Sequence, residues 1–255
     1  MTLGADLLTA SAGLAVGILI GLTGIGGGAI MTPFLILVLK IDPVLAVGTD
    51  LVFASVTKWL SGIQHRRQHN VSLRMVAWLA LGSMPTSLLL SSFVLLYLSK
   101  DSGFRTALAK VLGVVLIAVS FYTLSRLFGW IKVDEGVRWP PAWALVLIGA
   151  FGGCLVGLTS VGSGSIILAA LMIFFAIPSA KLVGMDVMHG ALLTTLPALV
   201  YIHGGQVRWP VVVWLLLGSI PGAWLGTRLI KVVPQNLVRG ALSVLLVAAG
   251  VRLFL

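Results

Sequence analysis

Two glycine-rich runs hold the residues best suited to chemistry. Thr23-Gly24-Ile25-Gly26-Gly27-Gly28 and Thr159-Ser160-Val161-Gly162-Ser163-Gly164 each precede a short apolar stretch. Unpaired backbone N–H groups at the start of a short helix, together with its positive dipole end, form a ready anion site. Glycine lets a ligand reach the backbone, and the hydroxyls of Thr23, Thr159, Ser160, Ser163 and Ser165 add donors without full charge. This chemistry suits loose, reversible binding of a small oxyanion. The candidate binding residues are Thr23, Gly24, Gly26, Gly27 and Gly28 in one run and Thr159, Ser160, Gly162, Ser163 and Gly164 in the other. The competing reading is structural, with glycines that merely permit tight helix crossing. Neither run ends in Gly-Lys-Ser/Thr, so neither is a nucleotide phosphate loop. Gly24-Ile25-Gly26 mimics a dinucleotide fingerprint in only one of the two copies.

Four ionisable residues fall inside apolar segments and are candidates for coupling or gating. Intramembrane carboxylates are costly and mark ion pathways, proton relays or paired charges, so Asp50 and Asp186 read as proton carriers or as organisers of the glycine loops. Equally, each sits only a few residues into its segment and reads as a cap at a helix start. Lys58, two turns beyond Asp50, either supplies positive charge to an anion, pairs with Asp50, or snorkels toward Arg66. His189 follows Asp186 by three residues, within hydrogen-bond reach on one helix face, and reads as a proton shuttle or a satisfied buried histidine. His65, His69 and His203 are too scattered for a metal site.

The elements that position these groups come in two copies. Residues 21–90 lie over 157–226 without a gap: Gly48-Thr49-Asp50 answers Gly184-Met185-Asp186, and Trp78…Gly82-Ser83-Met84-Pro85 answers Trp214…Gly218-Ser219-Ile220-Pro221. With 59% hydrophobic and 9% charged residues, the chain is far from a soluble domain with about 25% charged residues. Apolar runs at 7–22, 26–39, 44–63, 75–98 and 105–127 recur at 142–158, 163–176, 182–202, 211–228 and 238–254. The expected fold is therefore an all-α polytopic membrane protein: a first repeat over 1–127, a linker over 128–141 and a second repeat over 142–255. The runs 26–39 and 163–176 are odd, since about 14 residues span about 21 Å against a hydrocarbon core of about 30 Å. Each reads as a broken or half-helix entered at membrane depth through glycine. Gly13, Gly17 and Gly21, matched by Gly149, Gly153 and Gly157, form a close-packing seam on each leading helix.

The net charge of +10 reads as loops held on the cytoplasmic side rather than as a nucleic-acid surface. Placing Arg66, Arg67 and Arg74, then Arg126, Lys132 and Arg138, then Arg228, Lys231 and Arg239 inside requires five crossings per half and an N-terminus outside. An odd number of crossings turns the second repeat upside down. Met1–Gly13 lacks the positive n-region of a cleaved signal peptide. The single cysteine, Cys154, excludes an internal disulfide and a cysteine metal cluster. No catalytic motif such as His-Glu-x-x-His or Gly-x-Ser-x-Gly occurs, so an enzyme is not expected, nor is any cofactor.

Gly24-Ile25-Gly26-Gly27-Gly28 with Pro33, then Ala46-Val47-Gly48-Thr49-Asp50 and Gly62…His65, resembles the first half of a TauE/SafE-type sulfite exporter. The run Gly157–Gly164, Gly184-Met185-Asp186 and Gly218-Ser219-Ile220-Pro221-Gly222-Ala223 is similar to that family's second half. The resemblance covers nearly the whole chain. It implies a multi-pass inner-membrane carrier of small sulfur-containing anions, sulfite or organosulfonates, commonly working by export. The partners it implies are that anion and the lipid bilayer; the carboxylates Asp50 and Asp186, read from the residues themselves, add protons as a candidate partner, and a homodimer is compatible. Two rivals stay open: a passive anion channel or uniporter, and a carrier of a small non-sulfur anion such as a carboxylate. Ser160-Val161-Gly162-Ser163-Gly164 departs from the family's fuller glycine run, which implies a narrower, hydroxyl-rich pocket. Asp50 and Asp186 stand where the family often has uncharged residues, which implies a subgroup with its own substrate or coupling ion.

Overall fold

A computed structural model describes residues 3–23, 28–67, 69, 71–98, 102–128, 140–161, 167, 170–171, 179–229 and 235–254. Among these the secondary structure is helical, with no strand. The helices are α1 (Leu3–Thr23), α2 (Gly28–Leu37), α3 (Pro43–Arg67), α4 (Leu73–Phe93, continued by a π-turn over Val94–Leu98), α5 (Ser102–Leu127), α6 (Ala142–Thr159), α7 (Ser179–His203), α8 (Trp209–Leu229) and α9 (Gln235–Phe254). Ile167, Ala170 and Leu171 are also helical, within the remaining hydrophobic run. The linker residues 129–139 and glycine-run residues 24–27 and 162–166 lie outside the described residues.

Five of the described helices are long and apolar enough to cross a membrane: Pro43–Arg67, Leu73–Tyr97, Thr106–Ser125, Ala142–Thr159 and Gly184–His203. Their outer surface carries Leu81, Leu89, Leu96, Phe121 and Phe151, which suits lipid rather than water. Polar groups are turned inward, among them Thr32, Asp50, Lys58, Ser83, Asp186 and His189. Helix α2 is ten residues long with Pro33 inside it. At 1.5 Å per residue it extends about 15 Å, half of the hydrocarbon core.

Helix packing exchanges partners between the two halves. α1 lies along α8, α6 lies along α4, α3 pairs with α7, and α5 pairs with α9. Glycine makes the first two possible. A Cβ on Gly13 would strike the Leu215 carbonyl and one on Gly17 the Ser219 carbonyl. On α6, a Cβ on Gly149 would strike the Leu79 carbonyl and one on Gly153 the Ser83 carbonyl. Every member of the second set lies 136 residues from its counterpart, so the seam contacts repeat position by position. Close backbone approach of this kind is how small residues drive association where lipid removes the hydrophobic drive. The main core crosses the halves as well, bringing Val52 and Leu79 together with Val156, Ile167, Met188 and Leu193.

Candidate functional site

Helix α3 carries Gly48, Thr49 and Asp50 in succession, and 100° per residue sends them three ways. At Gly48 a Cβ would meet the Gln206 carbonyl and the Tyr201 ring, so glycine admits the end of α7 and the chain after it. Thr49 Oγ1 donates to the Leu45 carbonyl at 2.6 Å and accepts from Arg208 N–H at 3.0 Å. Asp50 points inward and is wholly buried.

Asp50 is the meeting point of the two halves. Its Oδ2 accepts from Thr32 Oγ1, in α2 just beyond the first glycine run, and from Ser160 Oγ at 2.8 Å, at the entry to the second run. Ser160 follows α6 in the left-handed conformation, φ 62°, with its N–H returned to the Val156 carbonyl at 2.9 Å. That backbone turns the chain out of α6 and aims the hydroxyl at α3. Oδ1 of Asp50 is buried and meets no hydrogen-bond partner among the described residues. The carboxylate is thus not a surface cap; it ties the flanks of both glycine runs together.

Asp186 on α7, the repeat counterpart of Asp50, has a different setting. The positions matching Thr32 and Ser160 are Leu168 and Gly24, neither with a hydroxyl. Asp186 is 1% exposed, and its Oδ1 also has no hydrogen-bond partner among the described residues. Lys58, 4% exposed and hence not snorkelling, interacts electrostatically with both Asp186 and Asp50. Among the described residues it is the one buried lysine or arginine. An isolated charge is prohibitively costly in this medium, so the three groups must be read as one cluster.

His189 joins the cluster from α7 within the electrostatic reach of Lys58. Its Nε2 hydrogen-bonds Ser83 Oγ of α4 at 2.7 Å, rather than Asp186, and the backbone of Leu79 on the same helix also faces the ring. The i, i+3 spacing to Asp186 placed the ring on the right face, but a hydroxyl from a neighbouring helix takes the nitrogen. Thr159 is buried with its hydroxyl donating to the Leu155 carbonyl at 2.8 Å and accepting from Val161 N–H at 3.2 Å, which finishes α6. The side chain of Thr23, the surroundings of Gly28 and all of Gly24, Gly26, Gly27, Gly162, Ser163 and Gly164 lie outside what the structure describes. Among those described, no group of three or more His, Cys, Asp or Glu is arranged to hold a metal ion.

Reasoning from sequence missed Thr32, Ser83, Thr195 and Tyr201. Thr195 Oγ1 accepts from Trp59 Nε1 and bonds Ser55 Oγ, both at 3.0 Å, holding α3 to α7. Tyr201 is fully buried with an OH that has no partner among the described residues. A hydroxyl isolated within an apolar helix was the available signal for Thr32, and Ser83 sat inside a repeated Gly-Ser-x-Pro motif.

Comparison with known proteins shows the family of the chain. The model of the family described as "Sulfite exporter TauE/SafE" matches residues 9–253. A Bacillus subtilis protein named "Probable membrane transporter protein YjnA" is 39% identical over 227 residues, 85% of this chain and 87% of its own length. A Methanocaldococcus jannaschii protein named "Probable membrane transporter protein MJ0441" is 26% identical over 256 residues, 95% of this chain and 93% of its own. A Xylella fastidiosa "Probable membrane transporter protein" is 26% identical over 234 residues, 90% of this chain and 86% of its own. No solved structure matches significantly. A family match over nearly the full length, joined to membrane-spanning helices that bury ionisable groups, identifies the chain as a member of the TauE/SafE sulfite exporter family of multi-pass membrane transporters.

Proposed function

We propose that this protein is a secondary transporter of small sulfur-containing oxyanions, sulfite or an organosulfonate, working as a proton-coupled exporter in the inner membrane with its N-terminus outside. The glycine-loop amides and the hydroxyls beside them bind the anion near the bilayer midplane. Two repeats of opposite orientation, over 1–127 and 142–255, alternate access to it. One observation carries the reading: a single buried carboxylate, Asp50, takes hydroxyl donors from the flanks of both glycine runs. Motion of one half against the other would have to remake those bonds, which is how an occupied site reports to a gate.

Uptake of radiolabelled sulfite into proteoliposomes, with and without an outward proton gradient that runs the exporter in reverse, tests this for wild type and Asp50→Asn. Gradient-stimulated uptake that the substitution abolishes supports the proposal. Uptake indifferent to the gradient in both proteins indicates a uniporter or channel. No uptake by folded protein removes sulfite and sends the search to sulfonates and carboxylates.

A further inference from the structure

Trp59 on α3 and Thr195 on α7 occupy matching positions of the two repeats, and they touch each other: Trp59 Nε1 donates to Thr195 Oγ1 at 3.0 Å across 136 residues. Matching residues meet only where the axis relating the two copies passes between them. On either side of that point the contacts run in opposite senses. Gly48, early on α3, meets Tyr201, late on α7, while Gly62, late on α3, meets Met188, early on α7. The two helices therefore cross antiparallel, and a rocking motion displaces them least at the Trp59–Thr195 contact.

Beyond that contact α7 changes character. Pro197 lies inside the helix; it offers no N–H to the Leu193 carbonyl and its ring crowds that group, so the ladder breaks two residues after Thr195. The matching residue of α3 is Ser61. The chain after Pro197 holds together as one piece, because Gln206 N–H returns to the Tyr201 carbonyl at 2.9 Å across a turn in which Gly205 has φ 68°. This piece lies on the start of α3. Tyr201 and the Gln206 carbonyl fill the notch at Gly48, and Arg208 N–H donates to Thr49 Oγ1 at 3.0 Å. Asp50, which ties the two halves together, is the next residue of α3. At the opposite end of the helix pair the position matching Thr49 is Met185, buried and without a hydroxyl, so this bond has no counterpart there.

We infer that the chain from Pro197 through Arg208 is a gate, hinged at Pro197, that swings off Gly48 and Thr49 during transport while the Trp59–Thr195 contact serves as the fixed pivot. This rests on the transport reading above and deepens it by assigning the moving part, the hinge and the latch. Opening the gate exposes the α3 segment that leads into Asp50. The gate belongs to one end of the helix pair, the end that the proposed orientation puts outside, and it stands shut in this structure. A carrier shut at that end is poised to load from the cytoplasm, as an exporter must.

Two disulfide bridges on a Cys154→Ser background separate gate from scaffold. Uptake into proteoliposomes is read with radiolabelled methanesulfonate, since sulfite itself cleaves disulfides, and with sulfite for the variants that carry no bridge. Thr49→Cys/Arg208→Cys, closed by oxidation or by a short bifunctional methanethiosulfonate, should lose uptake and regain it on reduction. Ser55→Cys/Thr195→Cys, at the pivot where the two hydroxyls lie 3.0 Å apart, should transport equally whether bridged or open. Pro197→Ala restores the missing N–H and should slow uptake while melting no lower than wild type. Full uptake with the first bridge closed would make that contact plain scaffold and overturn the gate. Loss of uptake on closing the second bridge would overturn the pivot, and undiminished uptake by Pro197→Ala would overturn the hinge. Should the first pair not fold, or should sulfite alone be carried, Pro197→Ala still decides. Wild type that moves no anion at all overturns the transport reading, and the gate with it.

Discussion

Ser160 Oγ donates to Asp50 Oδ2 at 2.8 Å, joining residues 110 apart in sequence across the boundary between the two halves. The serine can do so only because its backbone lies in the left-handed region, which turns the chain off the end of α6. A residue with a Cβ is strained there by about 1–2 kcal/mol. Strain retained beside a candidate site is offset by the bond it permits, here to a buried carboxylate.

That balance separates two substitutions. Ser160→Ala keeps the strain and removes the hydroxyl, leaving Asp50 one donor short, at a cost of about 1.5–3 kcal/mol. Ser160→Gly loses the same bond but relieves the backbone, so it should melt above Ser160→Ala. Thermal unfolding in detergent measures the order; equal melting points would show that the left-handed turn stores nothing.

The seam between α4 and α6 should be intolerant of any side chain at Gly149, because a Cβ there enters the Leu79 carbonyl. Gly149→Val should remove most of the monodisperse protein, as overpacking costs about 1–3 kcal/mol or more where backbone is the obstacle. Leu147→Val, two residues away on the lipid-facing side, should stay within about 0.5 kcal/mol of wild type. Size-exclusion profiles of the two compare them directly; a normal profile for Gly149→Val means the helices part more easily than their packing implies.

The seam also shows what a sequence can and cannot convey. Glycines at a four-residue spacing announce a close approach, and Gly13 and Gly149 both make one. They do not name the partner, because a small residue recognises any backbone, and the exchange of partners between halves depends on packing of the whole bundle. Asp50 was legible as a buried charge but ambiguous between cap and site. Its donors Thr32 and Ser160 come from segments far away in sequence, and no local spacing encodes that meeting. The asymmetry was visible throughout: Lys58 against Thr194 and His189 against Phe53 are differences between otherwise matched copies. At those two positions the halves offer different chemistry, an ammonium against a hydroxyl and an imidazole against a phenyl ring.

Ser83 and His189 should behave as one unit. The hydroxyl and Nε2 are 2.7 Å apart and both residues are fully buried. Ser83→Ala leaves the ring nitrogen unsatisfied, while His189→Phe copies the other half's Phe53 and leaves the serine hydroxyl to its own helix. The stability losses of the single variants should exceed that of the double by about 0.5–3 kcal/mol when treated as a cycle. Additive losses would mean the bond contributes nothing beyond its separate members.

The two halves should also sit in opposite orientations, and one pair of positions tests it. Helix α3 ends at Arg67 and α7 ends at His203, equivalent positions 136 residues apart, both exposed. In repeats of the same orientation these ends would emerge on one side of the membrane; in inverted repeats they must emerge on opposite sides. Arg66 and Arg74 flank the first end, so retention of basic loops inside predicts Arg67 in the cytoplasm and His203 outside. On a Cys154→Ser background, Arg67→Cys in intact cells should resist a membrane-impermeant maleimide until the membrane is opened. His203→Cys should label at once. Labelling of both from one side would refute the inversion, and with it the proposed alternation of the two repeats.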